Sequence, residues 1–137
     1  MIKKSSLMIF IILFLSIIFI TNCSDDDEKD TLIGTWVLTS MKMSASGITV
    51  TVDPAEMGLS QTLTIYDDNT FRMVMTEDGE TSTSTGEWSS SGGKLYITEE
   101  GETEVVDYSL KGDKLEITFE ETEEGQTITI TQIFTRQ

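Results

Sequence analysis

From Leu63 onward the chain alternates apolar and polar residues with a period of two, and this alternation constrains the fold more than any other feature. Leu63 and Ile65 interleave with Thr62, Thr64 and Tyr66; Phe71, Met73 and Met75 interleave with Arg72, Val74 and Thr76. The pattern returns at Leu95 and Ile97, at Leu115, Ile117 and Phe119, and at Ile128 and Ile130. Successive side chains of a strand point to opposite faces, so each run predicts a strand with one buried face. Turn signals separate the runs: Asp67-Asp68-Asn69, Glu77-Asp78-Gly79, Ser91-Gly92-Gly93, Glu100-Gly101, Lys111-Gly112-Asp113 and Glu123-Glu124-Gly125. Glycine, asparagine and aspartate supply the backbone conformations that tight hairpins need. Less regular strands are expected around Trp36–Met43, around Ile48–Val52 and in the Thr/Ser-rich stretch ending Gly86-Glu87-Trp88. The expectation is eight or nine strands joined as antiparallel hairpins.

One helix start stands among them. Asp53 is placed as an N-cap, Pro54 as the first helical residue and Glu56 three positions after the cap, with Gly58 ending the element after about one turn. Pro54 is the only proline in the chain. With so little helix, the apolar faces of the strands must cover one another, by closing into a barrel or by packing as two sheets. Sequential hairpins favour closure, because an up-and-down order brings the last strand beside the first. The fold class is all-β, an antiparallel up-and-down barrel of eight or nine short strands over residues 31–137.

Gly34-Thr35-Trp36 opens the first strand and Ile133-Phe134-Thr135-Arg136 ends the last. The G-x-W phrase, together with DNTF at 68–71, GEW at 86–88 and GDKLEIT at 112–118, resembles the small lipocalin-like domains of bacterial lipoproteins. The resemblance implies a calycin-type barrel in which Arg136 stacks on Trp36 and closes the structure, a cation–π contact of ~0.5–2 kcal/mol. The domain is shorter than a secreted lipocalin and carries no helix after its last strand. Side chains can fill so small a barrel, so an open ligand cavity and a filled core both remain open.

The N-terminus carries a second resemblance. Lys3 and Lys4 precede an apolar run from Leu7 to Ile20, broken only by Ser16. The run is shorter than the ~20 residues of a spanning helix and suits a secretion signal. Ile20-Thr21-Asn22-Cys23 resembles the lipobox of bacterial lipoproteins, with Asn22 where Gly, Ala or Ser is usual. The resemblance implies cleavage after residue 22 and lipidation of Cys23, the only cysteine. Residues 24–30, Ser-Asp-Asp-Asp-Glu-Lys-Asp, form an acidic tether that buries nothing. A serine followed by acids after the cysteine also looks like the signal that exposes lipoproteins on the outer face of the outer membrane in some lineages. The expected location is thus the outer membrane, with a lipid anchor and exposure at the cell surface.

All 24 acidic residues follow the cleavage site, whereas Lys3 and Lys4 leave with the signal. The seven remaining basic residues oppose 24 acids, a formal charge of −17 against −15 for the whole chain. That field repels phosphate backbones, so nucleic acid is not an expected partner. Without histidine, and with one cysteine, the chain lacks Ser-His-Asp and Cys-His catalysis and zinc sites of Cys/His type. The acids read as solvated turns and outer faces. Asp67–Thr70, Glu77–Glu80 and Glu99–Glu102 offer calcium-type oxygen ligands without an EF-hand pattern, and read first as hairpin turns. Neither a cofactor nor a metal is expected.

Candidate ligand-lining residues are those that place soft or polar groups on apolar faces. Met73 and Met75 follow Phe71, Phe119 follows Ile117, and Tyr108 stands between Val106 and Leu110. Gln132 interrupts Ile128, Ile130 and Phe134. Either it is a buried, hydrogen-bonded amide, or a bulge nearby turns it out and Ile133 in. Two functions follow: a non-enzymatic anchored module binding a small apolar or amphipathic molecule, or an interaction lipoprotein with a filled core acting on a protein partner.

Overall fold

The computed structural model describes residues 31–137. The expected signal 1–22, Cys23 and the tether through residue 30 lie outside the described residues. Nine strands follow in order: β1 (Gly34–Ala45), β2 (Ile48–Val52), β3 (Leu59–Ile65), β4 (Thr70–Glu77), β5 (Glu80–Ser91), β6 (Lys94–Glu99), β7 (Glu102–Lys111), β8 (Lys114–Glu123) and β9 (Gln126–Arg136). All pairings are antiparallel; β3 to β9 form a meander, and β9 returns to pair with β1. Eight strands thereby close an antiparallel barrel, with β2 as an extra strand. On one flank, Gly34–Val37 of β1 pairs with β3, while Met41–Ala45 pairs with β2.

Pro54–Met57 forms a single 3-10 turn between β2 and β3. The Asp53 carboxylate accepts the Ala55 amide proton at 2.9 Å, and Pro54 is the buried residue of the turn. The element therefore starts and stops where its caps direct.

Directly opposed residues share one face of the sheet, so register and burial together fix which side chains point inward. At one end lie the chain start, the β3–β4, β5–β6 and β7–β8 turns and the end of β9; this end is the base. Trp36, Leu38, Ile65, Phe71, Trp88, Leu95, Leu115 and Phe134 pack together there, with Leu32 closing from below. Fully buried Trp36, Phe134, Leu32, Leu95 and Leu115 make this half solid. The outer face explains much of the threonine content. Hydroxyls pair across neighbouring strands at Thr76–Thr81 (2.8 Å), Thr98–Thr103 (2.7 Å) and Thr118–Thr131 (3.0 Å).

One irregularity sits in β1. Its register against β9 shifts between Leu38 and Ser40, so Thr39 is an extra residue. The bulge lets Leu38 and Met41 both face inward although three positions separate them.

Candidate functional site

The opposite end, where the β1–β2, β4–β5, β6–β7 and β8–β9 turns lie, is the mouth. Met73 and Met75 of β4 and Phe119 of β8 are half-buried on the inner wall, in register with Leu63, Gln61 and Ile130. Tyr108 also faces inward, opposite Ile117, but nearer the base; its amide donates to the Gly93 carbonyl at 3.0 Å. Gln132 is 6% exposed. The phase shift occurs in β1 rather than β9, so Gln132 keeps its inward position. Its Nε2 donates to Oε1 of Gln61 at 3.2 Å, and Gln61 Nε2 donates to the Met75 sulfur at 3.3 Å. Gln61, itself buried, was not among the candidates. The signal for it is simply the Leu63–Ile65 alternation continued two residues back.

This amide pair forms a polar floor below the mouth. Replacing one glutamine by leucine strands the other's buried amide, at a cost of about 1–3 kcal/mol; replacing both removes the stranded group. Gln61→Leu and Gln132→Leu are each expected to lower the urea midpoint, with the double variant recovering most of the loss. Additive losses in a double-mutant cycle would show that the amides do not depend on each other.

Two contrasting surfaces rise above the floor. On β1, β2 and β9, Met43, Val50, Ile48, Ile128 and Ile130 face inward. Ile48 is 68% exposed and Val50 51% exposed, on a strand that pairs only with β1. On β4 to β8 the inward phase passes from apolar residues to glutamates. Glu77 follows Met75, Glu99 follows Ile97, Glu104 precedes Val106 and Glu121 follows Phe119. The expectation that the acids occupy only turns and outer faces therefore fails at the mouth, where the strand phase carries them inside. Asp68, by contrast, does sit in a turn. Its carboxylate accepts from the Thr70 hydroxyl and amide, which hold it below the usual range.

Pairing between β7 and β8 stops at Asp107 and Thr118, so Glu102–Val106 and Phe119–Glu123 are not paired with each other. A cleft of about 370 Å³ opens at this break, lined by inward-facing Glu104, Val106 and Phe119 and by outward-facing Lys94, Asp107 and Glu120. That volume lies within the range of small-molecule sites. Burial, and secondarily the charge of Glu99, push the Glu104 carboxyl up to about 7 from 4.5. The folded protein thus binds this proton more tightly than the unfolded chain does. The resulting stabilisation is complete below the unfolded value and is lost as the pH rises through about 7. Discounted for the water that reaches a half-exposed carboxyl, it amounts to roughly 1–2 kcal/mol. Glu104→Gln is expected to raise the melting temperature at pH 8 by a few degrees and to change it little at pH 4.5. An equal effect at both values would mean that Glu104 titrates normally.

At the base, the Arg136 guanidinium lies 4.2 Å from the Trp36 ring centroid. Arg136 Nη1 donates to the Ile33 carbonyl at 2.8 Å, and Nη2 donates to the Thr31 carbonyl. Trp36 Nε1 donates to the Leu32 carbonyl at 2.9 Å. Gly34 has a φ of +143°, and a Cβ there would stand 2.6 Å from Arg136 Nη1. The glycine of Gly34-Thr35-Trp36 thus leaves space for the cation that covers the tryptophan. A family model described as a lipocalin-like domain matches residues 32–117. The chain belongs to the lipocalin-like domain family.

The family match ends within β8, and the structure supplies the rest of this lipocalin-like barrel by laying β9 against β1. Solved structures of similar fold include the siderocalin Ex-FABP, which functions through dual ligand specificities. It is 12% identical with a TM-score of 0.48, over 77% of this chain and 74% of that one. Another is an uncharacterized protein from Bacteroides eggerthii, also 12% identical with a TM-score of 0.48, over 77% of this chain and 98% of its own. None of the curated proteins matches the chain. Among the described residues of the lipocalin-like domain, no group of three or more His, Cys, Asp or Glu is placed to hold a metal ion.

Proposed function

We propose that this lipocalin-like domain is the binding module of an exported, lipid-anchored protein, and that it holds a small amphipathic ligand in the mouth of its barrel without transforming it. The observation that carries this reading is the exposed apolar inner wall of the mouth, with Ile48 at 68% and Val50 at 51% exposure. Inward-facing apolar side chains left in water mark a surface that gains free energy when an apolar group covers it. The solid base confines any ligand to the upper half, above the Gln61–Gln132 floor. Half-buried Met73, Met75 and Phe119 provide adaptable and aromatic contacts between floor and rim.

Support for anchoring comes from the basic and apolar leader, the lipobox-like Ile20-Thr21-Asn22-Cys23 and the acidic residues after it. Together they favour a site at the outer membrane, exposed at the cell surface, with the tether holding the barrel clear of the lipid. Native mass spectrometry of residues 31–137, isolated from the natural host and from a foreign one, tests the ligand. A reproducible extra mass from the natural host alone supports the reading. The bare protein mass from both sources shifts the function toward a protein partner. Anchoring is tested by Cys23→Ala, which should release the processed protein from membranes; continued attachment after signal removal counts against lipidation.

A further inference from the structure

We propose that the occupant of the exposed apolar wall is a cationic amphiphile, its tail against Met43, Val50 and Ile128 and its positive head toward the facing glutamates. The inference rests on the small-ligand reading above and adds the charge class of the ligand.

Charge complementarity selects this occupant. Six basic residues lie within the described chain: Lys42, Arg72, Lys94, Lys111, Lys114 and Arg136. The first five alternate out of phase with the inner residues Met41, Phe71, Leu95, Leu110 and Leu115, and so point outward. Arg136 faces the base, where Trp36 and the carbonyls of Ile33 and Thr31 hold it. Among the described residues, then, every charged side chain on the inner face of the mouth is a glutamate. Glu99, Glu104 and Glu121 are partly buried there, without a basic side chain beside them on that face. A carboxylate or sulfate head entering this mouth meets like charge beside partly buried carboxylates, where repulsion is screened less than in bulk water. An ammonium or guanidinium head meets the opposite charge. The raised proton affinity of Glu104 has the same origin, a carboxylate partly cut off from water beside another one. The cleft at the β7–β8 break joins Glu104, Val106 and Phe119 of the inner face to outward-facing Lys94, whose ammonium is already paired with Asp107.

Three dansyl-labelled C11 probes, identical except for a trimethylammonium, hydroxyl or carboxylate terminus, distinguish the outcomes. They are titrated against the full chain in phosphatidylcholine nanodiscs, with empty nanodiscs subtracted. The ammonium probe is expected to bind at least about tenfold more tightly than the carboxylate probe. The triple variant Glu99→Gln, Glu104→Gln, Glu121→Gln should remove that preference while still binding the hydroxyl probe, which also reports that the barrel is folded. Carboxylate binding as tight as ammonium binding overturns the charge assignment and leaves the small-ligand reading intact. Absence of binding by all three probes overturns the small-ligand reading, and this inference with it.

Discussion

Trp36→Ala is expected to lower the stability of the domain by about 3–5 kcal/mol, the largest loss of any single side chain in the barrel. Trp36 is fully buried and anchors the base in three ways. Its ring fills the space between Leu32 and the first strand's neighbours, its Nε1 holds the Leu32 carbonyl, and its face carries Arg136. Truncation opens a cavity and releases the segment 31–33 that closes the barrel from below. For a domain near 100 residues each kcal/mol moves the melting temperature by about 4–8 °C, so the midpoint should fall by roughly 12–40 °C. Arg136→Ala should cost less, about 1–3 kcal/mol, since it removes the cation–π contact and two hydrogen bonds but leaves the ring buried. Equal losses for the two variants in thermal unfolding would mean that the base is held by the guanidinium rather than by the indole.

Gly86→Ala is the second large effect, and its cause is steric. Gly86 is opposite Phe71 on β4, and the next residue, Glu87, begins the pairing of β5 with Thr98 on β6. An added Cβ would overlap the Thr98 carbonyl oxygen and lie 2.9 Å from Phe71 Cε1. The carbonyl belongs to backbone and cannot rotate away, so relief requires parting β5 from β6 or displacing Phe71 from the core. Overpacking of this kind costs about 1–3 kcal/mol and more where backbone must move. Ser84→Ala, on the same face of the same strand, should stay within about 0.5 kcal/mol. Urea unfolding of the two variants separates the explanations: a similar shift in both would point to strand propensity, not to the close approach at Gly86.

The elements themselves were legible before any tertiary contact was known. The alternation at Leu63–Ile65, Phe71–Met75, Leu95–Ile97, Leu115–Phe119 and Ile128–Ile130 falls within β3, β4, β6, β8 and β9, and those apolar residues face inward. The turn phrases at 78–79, 92–93, 112–113 and 124–125 lie between successive strands, and the Asp53–Gly58 caps bound a single turn. Such features depend on neighbours two to five residues apart, where backbone sterics and side-chain direction already decide the conformation. The Gly34-Thr35-Trp36 phrase likewise pointed to a barrel whose ends meet.

The mouth was less legible, although its signal was present. Gln61, Glu99, Glu104 and Glu121 each continue an inward phase by one more step, but a polar residue after an apolar run reads locally as the end of the buried face. Whether that step still lies inside depends on how far the neighbouring strand extends. Gln61 is inside because Gln132, 71 residues away, hydrogen-bonds to it. Glu104 borders a cleft because β7 and β8 part above Asp107 and Thr118. Gln132 faces inward because the extra residue sits in β1, at Thr39. Strands, turns and the apolar side of each strand are written in adjacent residues. Closure by β9 on β1, the solid base, and the open mouth with an apolar wall facing carboxylates come from long-range packing. Those features arise where distant strands meet or part, and no local pattern records the stagger between them.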